Sequence, residues 1–149
     1  MIFDKTRSAG TLTSEIARLY GSSLQRGLQP LGLSRAQFLA LSELWLEDGL
    51  TQRDLTGRLG VEQATMANTL ARMERDELVV RRPHPDDGRS QLIFLTDAAR
   101  ALEASAVAAA VDVNEIVLQG LPSAERELFL SMLGRVVAGM REHDGNPQP

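Results

Sequence analysis

A polar segment in the second half of the chain places one arginine at the tip of a predicted turn. The segment HPDDGRSQ contains Asp87, Gly88 and Arg89, and strand-like runs, VVRR and QLIFL, flank it. This pattern predicts a β-hairpin with an extended tip. A tip arginine can enter the minor groove of DNA, where a narrow groove concentrates negative potential. Ordering such a side chain costs about 1.5–2 kcal/mol of entropy, so we expect the Asp87 carboxylate to hold the Arg89 guanidinium in place beforehand.

A second set of polar side chains shares one face of a predicted helix from about Gln63 to Asp76. The inner face of that helix is apolar, with Met66, Leu70 and Met73 at i, i+4 and i+7. The outer face has hydrogen-bonding groups and arginines but no carboxylate, which suits contacts with base edges and phosphates in a major groove. Together with the hairpin residues, the expected DNA-binding residues are Gln63, Thr65, Asn68, Thr69, Arg72, Arg75, Arg82, Asp87 and Arg89.

The elements that position these residues are a helix-turn-helix and a wing. Thr51 can cap a short helix, with Asp54 at its third position completing an acidic variant of the capping box. Gly60 then permits a tight turn into the next helix. Ser34 is a good N-cap for a preceding helix whose apolar residues lie on two sides. Residues 34–96 are therefore predicted to form a winged helix-turn-helix DNA-binding domain.

Long helices at both ends of the chain predict a second region. A first helix from about Thr13 to Leu28 and two helices after Thr96 carry apolar stripes at helical spacing. The first stripe after Thr96 has the alternating spacing of a seam between helices. A single winged domain does not need this much apolar surface. We therefore predict a mainly α fold with a small β-hairpin wing, in which the helices of residues 97–145 take part in dimerisation.

Composition excludes several classes of function. The chain has no cysteine, which excludes a disulfide framework, a thiolate metal site and a cysteine nucleophile, and its two histidines lie far apart. It has no Ser/His/Asp arrangement, glycine-rich phosphate loop or paired-carboxylate cleft, so we expect no enzyme, cofactor or metal. The charged N-terminus predicts no signal peptide, and no apolar run approaches the roughly 20 residues that span a bilayer. We expect a cytoplasmic protein without a membrane partner.

The net charge of −4 argues against a nucleic-acid partner until its distribution is considered. Residues 1–50 hold 5 basic and 5 acidic side chains, and residues 51–95 hold 7 of each. Residues 96–149 hold 4 basic and 8 acidic side chains, so the whole excess lies in the last third. A neutral winged domain can present one basic face if its acidic side chains point elsewhere, and double-stranded DNA remains the expected partner.

Three stretches of the chain resemble the MarR family of bacterial transcriptional regulators. They are LGLSRAQFLALSEL, LTQRDLTGRLGVEQATMANTLARMERDELVVRR and HPDDGRSQLIFLT. With the terminal helices the resemblance covers nearly the whole chain, and Asp87-Gly88-Arg89 is its most specific mark. It implies a homodimer on a palindromic operator, in which residues 1–33 and 97–145 form the helical dimerisation region. It also implies repression relieved by a small, often aromatic or phenolic ligand. The chain departs from the family in placing acidic Glu62 before the recognition helix. It also lacks the reactive cysteine and the histidine-rich sites of the peroxide- and zinc-sensing branches.

A small organic molecule is the expected signal, because the composition disfavours thiol oxidation and transition metals. The junction between the winged domain and the dimerisation region offers aromatic walls, a hydroxyl and a guanidinium, which suit an aromatic carboxylate or a phenol. The expected ligand-binding residues are Arg18, Tyr20, Phe38, Ser42 and Trp45. Packing alone also accounts for Trp45. The alternative function is a winged-helix module that binds protein and not DNA, against which the carboxylate-free outer face argues.

Overall fold

The computed structural model describes residues 4–144, which form six α-helices and three short strands. The helices are α1 (Ala9–Leu28), α2 (Arg35–Leu46), α3 (Gln52–Leu59), α4 (Gln63–Arg75), α5 (Asp97–Leu118) and α6 (Ser123–His143). The strands are β1 (Leu50–Thr51), β2 (Val79–Pro83) and β3 (Gln91–Leu95). The predicted fold class, mainly helical with a hairpin wing, is confirmed. Residues 1–3 and 145 of the predicted dimerisation region lie outside the described residues.

The predicted capping residues start the helices of the winged domain. Ser34 Oγ accepts the Gln37 N–H (3.2 Å) and Gln37 Oε1 accepts the Ser34 N–H (2.9 Å), which makes a complete capping box on α2. Thr51 and Asp54 form the same reciprocal pair on α3. Gly60 ends α3 with a φ of 62°, a left-handed conformation that glycine adopts without steric cost. These local signals explain why the sequence located α2, α3 and α4 closely.

The first helix begins earlier than predicted. It starts at Ala9 and not at Thr13, because Ser8 caps it by accepting the Thr11 N–H on its side chain (3.2 Å). Thr13 lies inside the helix and donates its hydroxyl to the Ala9 carbonyl (2.8 Å). Thr13 therefore bonds back into the helix and does not begin it.

The sheet contains a strand that the sequence did not predict. β1 pairs antiparallel with β3, and β3 pairs antiparallel with β2, so the strand order is β1-β3-β2. Gly49, just before β1, has a φ of 78°, and a Cβ placed on it would lie 2.8 Å from Phe94 Cε1. Asp48 Oδ1 accepts the Leu95 N–H (2.9 Å) across 47 residues of sequence. β1 therefore depends on long-range contacts, which local patterns do not reveal.

The hydrophobic core is built mainly from the winged domain and the second half of α1. Its largest fully buried side chains are Leu24, Leu28, Leu41, Leu44, Leu55, Leu70, Met73, Val79 and Ile93. The predicted inner stripe of α4 is confirmed, since Met66, Leu70 and Met73 are all buried. The burial of α2 on two sides is also confirmed, by Phe38, Ala40, Leu41 and Leu44. This core fixes α4 with its other face outward.

The chain divides into two compact units between Val113 and Asn114. The first unit contains the winged domain, α1 and most of α5. In the second unit, of the residues up to 144, only Leu118 is buried. This division differs from the boundary at residue 96 that the sequence predicts, and the role of the terminal helices in dimerisation stays a prediction.

Candidate nucleic-acid interface

The outer face of α4 is open to solvent. Thr65, Asn68 and Arg72 are exposed, while Met66 and Met73 are buried on the opposite side. Within residues 4–144, Arg72 takes part in no ion pair. A hydroxyl, a carboxamide and a guanidinium together supply donors and acceptors for base edges and phosphates. An α-helix about 10–12 Å across fits a major groove about 12 Å wide.

Gln63, the first residue of α4, holds the two helices of the helix-turn-helix together. Its Nε2 donates to Thr56 Oγ1 (3.1 Å) and its Oε1 accepts from Gln52 Nε2 (3.0 Å). Thr56 is buried in α3, so this contact fixes the start of α4 against the preceding helix. One N–H and one lone pair of the Gln63 amide remain for a base or a phosphate.

Thr69 does not share the exposure of the other predicted contacts on α4. It is 8% exposed, and its hydroxyl donates to the Thr65 carbonyl (3.0 Å). The physical reason is helical spacing: Thr69 follows Met66 by three residues and precedes Met73 by four, which turns it toward their buried side. Thr69 is therefore not among the residues that the structure brings to the outer face.

The two DNA-binding arginines predicted in the wing are exposed and differently held. The Arg82 guanidinium lies 5.0 Å from the centroid of the Phe94 ring, a cation–π arrangement that restrains the side chain. Arg89 lies at the tip between β2 and β3. Within the described part of the chain neither guanidinium has a carboxylate partner. Both remain available to phosphate or to a groove.

Hydrogen bonds to the local backbone shape the wing tip. Asp87 Oδ1 accepts the backbone N–H of Arg89 (3.0 Å), and the Asp87 carbonyl accepts the Ser90 N–H (3.0 Å). His84 Nδ1 accepts the N–H groups of Asp86 (3.1 Å) and Asp87 (3.2 Å), a role that the sequence did not indicate. The predicted ion pair between the Asp87 carboxylate and the Arg89 guanidinium is not found among residues 4–144. An aspartate reaches the amide two residues ahead within the same turn, which satisfies the carboxylate locally.

The last turn of α4 places Arg75 beside its C-cap residue. Arg75 Nε donates to Asp76 Oδ1 (3.2 Å), and Asp76 Oδ2 accepts from Gln37 Nε2 of α2 (2.8 Å). Arg75 first, and then Gln37, hold the pKa of the Asp76 carboxyl below its usual value. The Arg75 side chain is 71% exposed, so it can reach beyond this pair to a phosphate.

Two further basic residues lie near this surface, and the sequence patterns did not indicate the first of them. Arg53 is exposed in the first turn of α3 and forms no ion pair within residues 4–144. A cation in the first turn of a helix is unfavourable because the helix dipole is positive there. Its presence in the sequence was therefore a signal that Arg53 could bind an anionic partner. Arg81 of β2 pairs with Glu74 of α4 (2.9 Å), which ties the base of the wing to the recognition helix.

The predicted ligand-binding residues on α2 contact the protein itself. Phe38 and Trp45 pack edge to face with ring centroids 6.1 Å apart. Trp45 Nε1 donates to the Ala99 carbonyl of α5 (3.1 Å), and Ser42 Oγ donates to the Leu39 carbonyl (2.7 Å). The hydrogen-bond donors of Trp45 and Ser42 are therefore already used within the protein.

Arg18 lies in a different environment from the α2 residues. It lines an open recess of about 520 Å³, whose other lining residues are Ala17, Gly21, Ser22, Gln25 and Arg35. Its guanidinium pairs with Glu15 (2.6 Å), while Arg35 Nη1 packs so close to Gly21 that a Cβ there would lie 2.8 Å away. Tyr20, the other predicted residue of α1, packs half-buried against the core. The five predicted residues thus do not line this recess together.

Neither a metal-binding cluster nor a membrane-spanning helix occurs among residues 4–144. No group of three or more His, Cys, Asp or Glu side chains in this part of the chain could hold a metal ion. None of its helices combines the length and the apolar character that crossing a bilayer requires.

Comparison with known proteins finds a match to the MarR family over residues 33–91. The HTH-type transcriptional repressor NicR of Pseudomonas putida is 26% identical over 135 residues, which cover 91% of this chain and 85% of NicR. A probable transcriptional regulator from Pseudomonas aeruginosa is 27% identical, with a TM-score of 0.82 over 89% of this chain and 99% of the other. Bordetella bronchiseptica BpsR, whose DNA binding is regulated by 6-hydroxynicotinic acid, has a TM-score of 0.83 at 23% identity, over 92% and 98%. These likenesses extend well beyond the winged domain.

Proposed function

Since the chain belongs to the MarR family of winged-helix transcriptional regulators, we propose that it is a homodimeric repressor of a palindromic operator, released by a small aromatic acid or phenol. The coarse function follows from the family: the chain is a DNA-binding regulator of transcription and not an enzyme. Repression is supported by the likeness to the repressor NicR. The observation that carries the proposal is the exposed, hydrogen-bonding face of α4 beside two exposed wing arginines, Arg82 and Arg89.

Each part of this surface has its own role in the proposal. Thr65 and Asn68 contact base edges in the major groove, with Gln63 at the entry of the helix. Arg72, Arg75 and Arg82 contact phosphates, and Arg89 enters the minor groove. Asp87 orients the tip through the backbone of Arg89 and does not touch DNA.

The proposed dimer uses residues 1–33 and 97–145. These helices expose large apolar side chains, among them Leu12, Leu19, Val111, Ile116, Leu128, Val136 and Met140. Burying one such side chain contributes about 1.5–3 kcal/mol, so an isologous contact across a two-fold axis would stabilise the assembly. A two-fold dimer also places its recognition helices about 34–36 Å apart, one turn of DNA.

The proposed signal is an aromatic carboxylate or phenol bound near Arg18, Tyr20, Phe38, Ser42 and Trp45. The cation of Arg18, with Arg35 in the same recess, supports a carboxylate as the charged group of the ligand. The regulation of BpsR by 6-hydroxynicotinic acid supports an aromatic acid. Release requires that the ligand binds one spacing of the recognition helices more tightly than the other; a 100-fold preference corresponds to about 2.7 kcal/mol.

Operator binding is tested with duplex DNA from the intergenic region beside the gene. We expect gel shifts whose affinity falls steeply as salt rises, because arginines that neutralise phosphates release counterions. A random-sequence duplex of equal length is the control and should bind more weakly at the same salt. Absence of salt-dependent binding to either duplex would contradict the proposal and favour a winged helix that binds protein.

Ligand release is tested by titrating 6-hydroxynicotinic acid and 4-hydroxybenzoic acid into the protein–duplex complex. Trp45 is the only tryptophan, so its fluorescence follows binding while the gel shift follows release. We expect at least one acid to change both signals, with a weaker response in Arg18→Ala and Trp45→Phe. The pocket assignment is wrong if both variants respond like wild type, or if only peroxide or metal ions release the duplex.

A further inference from the structure

We propose that Gln37 is a positioning residue for the DNA contact of Arg75. The inference rests on the proposed function, in which Arg75 contacts a phosphate. Gln37 is 4% exposed and lies on α2, so it does not itself face DNA. It acts through Asp76, the carboxylate that it shares with Arg75.

The Gln37 carboxamide uses both of its ends. Its Oε1 accepts the Ser34 N–H (2.9 Å) and closes the capping box of α2, while its Nε2 donates to Asp76 Oδ2 (2.8 Å). The second bond joins residues 39 apart in sequence, from the first turn of α2 to the C-cap of α4. One buried side chain thus fixes the end of the recognition helix to the start of another helix.

The anchor of this linkage extends to α1. Gln25 donates to the Leu33 carbonyl (3.3 Å) and accepts the Arg35 N–H (2.9 Å), so it holds the connection on both sides of Ser34. The residues of the linkage line one recess of about 320 Å³, which includes Gln25, Ser34, Gln37, Arg72, Arg75 and Asp76. The amide that holds Asp76 is therefore itself held by the body of the domain.

The exposure of the two charged partners shows why they need this anchor. The side chains of Arg75 and Asp76 are 71% and 37% exposed, and an exposed ion pair holds its geometry weakly. Asp76 Oδ2 accepts from the buried amide, which leaves Oδ1 directed at Arg75 Nε. Without Gln37, Asp76 would rotate as an ordinary surface carboxylate and Arg75 would lose its fixed partner.

The substitution Gln37→Glu separates the two bonds of this side chain. A glutamate at the third helical position still accepts the Ser34 N–H, because Ser-x-x-Glu is a common form of the capping box. It cannot donate to Asp76, and its charge repels that carboxylate. Gln29→Glu is the matched control, because Gln29 is an exposed residue that lines the same recess. It adds the same charge nearby without breaking a bond to Asp76.

A double substitution restores the lost bond with its direction reversed. In Gln37→Glu combined with Asp76→Asn, the new amide at position 76 donates to the new carboxylate at position 37, while its carbonyl accepts from Arg75. If Gln37 mattered only for packing, the double substitution would not restore the properties of the wild type.

The first measurement uses the free protein and needs no DNA. The Arg75 Nε–H resonance in NMR should shift and exchange faster with water in Gln37→Glu than in wild type or Gln29→Glu. The double variant should move it back toward the wild-type values. An unchanged resonance in Gln37→Glu overturns the proposal whether or not the protein binds DNA.

The second measurement is affinity for the intergenic duplex over a series of salt concentrations. We expect Gln37→Glu to bind roughly two- to tenfold more weakly, the range for one lost hydrogen bond, and its salt slope to fall by about 1. In an Arg75→Gln background the same substitution should weaken binding no more than Gln29→Glu does. A loss no larger than that of Gln29→Glu, or an equal loss in the Arg75→Gln background, overturns the proposal. If wild type itself binds no duplex while the resonance shifts as expected, the proposed function fails and the linkage within the free protein stands.

Discussion

The winged domain buries most of its large apolar side chains, whereas the terminal helices leave many of theirs exposed. Between residues 34 and 96, only Leu46 and Val80 are large apolar residues with substantial exposure. The described parts of α1, α5 and α6 expose twelve: Leu12, Ile16, Leu19, Val107, Val111, Ile116, Leu128, Leu130, Met132, Val136, Val137 and Met140. The first region completes its core within one chain, whereas the second presents surface that a single chain leaves in water.

We infer that the buried side chains of the winged domain stabilise the fold, and that the exposed ones of the terminal helices stabilise the proposed dimer. A contiguous apolar patch on a small protein marks an interaction site, so the proposed dimer predicts that a partner chain covers these side chains. The exposed residues of the winged domain that are proposed to contact DNA are instead polar. Substitutions in the core of the winged domain should therefore lower the stability of the fold, and substitutions on the exposed apolar residues of the terminal helices should weaken the dimer.

The largest expected effect is on the core of the winged domain. Leu70 is fully buried, so Leu70→Ala should lower the free energy of unfolding by about 2–5 kcal/mol. Val136 is 50% exposed, so Val136→Ala should lower it much less when the protein is dilute enough to be monomeric. Urea denaturation at low protein concentration compares the two. Equal losses would break the contrast, because they would mean that one chain alone buries Val136.

The second effect is on assembly. Val136→Glu combined with Met140→Glu puts two charges on exposed apolar positions of α6 and should weaken the dimer at least about 100-fold, a value of about 2.7 kcal/mol. Leu46→Glu is the control, because Leu46 is 83% exposed in the winged domain. Light scattering at micromolar concentration should show a monomer for the first variant and a dimer for the second. A dimer in both would place the interface elsewhere.

The sequence was most informative where structure depends on neighbours along the chain. Ser34, Thr51 and Gly60 located the helices of the winged domain, because capping and turn formation involve residues a few positions apart. The inner stripe of α4 followed from helical spacing alone. Contacts between distant residues were not predictable in this way. β1 depends on β3, and the bond from Gln37 to Asp76 joins two helices.

Within the candidate site, too, the sequence was informative about local spacing and less so about which groups bond to each other. Exposure of Thr65, Asn68 and Arg72 followed from the helical wheel, whereas the burial of Thr69 required its position relative to Met66 and Met73 to be weighed as well. The predicted partner of the Asp87 carboxylate, the Arg89 guanidinium, was wrong. A carboxylate in a tight turn can bond either to a side chain or to a backbone amide, and here it accepts the backbone N–H of Arg89. Spacing in sequence does not decide that choice.

The third effect concerns the polar exposure of the wing. Arg89→Ala should weaken operator binding by about 1–3 kcal/mol while leaving the free energy of unfolding unchanged, because the side chain is exposed and outside the ion pairs of residues 4–144. Asp87→Ala should weaken binding less, since it acts on the turn. Gel-shift titration at fixed salt measures both. Wild-type affinity in Arg89→Ala would refute the insertion of the tip into DNA.

The smallest effect is a pH dependence at the start of α3. The Thr51 hydroxyl first, and then the Thr51 N–H, hold the pKa of the Asp54 carboxyl below its ordinary value of 3.8. A lowered pKa means that the stability contributed by Asp54 is complete above about pH 4 and is lost as the pH falls through the folded-state pKa. The stability difference between wild type and Asp54→Asn should therefore shrink in acid.

Thermal unfolding of both proteins between neutral pH and strong acid checks this expectation. Glu125→Gln is the control for removing an acid from a first helical turn, because α6 begins without a side-chain cap. Thr51→Ala, which removes the cap itself, should cost about 0.5–2 kcal/mol near neutral pH. A difference for Asp54→Asn that stays constant into strong acid would contradict the role given to the carboxylate.

The close fit of Gly49 under the Phe94 ring has an evolutionary consequence. A side chain at position 49 would displace the ring, and the ring carries the Arg82 guanidinium over its surface. A mutation before β1, outside the proposed DNA contacts, would thus shift a cation of the wing. Because positions 49, 82 and 94 touch one another through the Phe94 ring, we expect a substitution at one of them to change which side chains are tolerated at the other two.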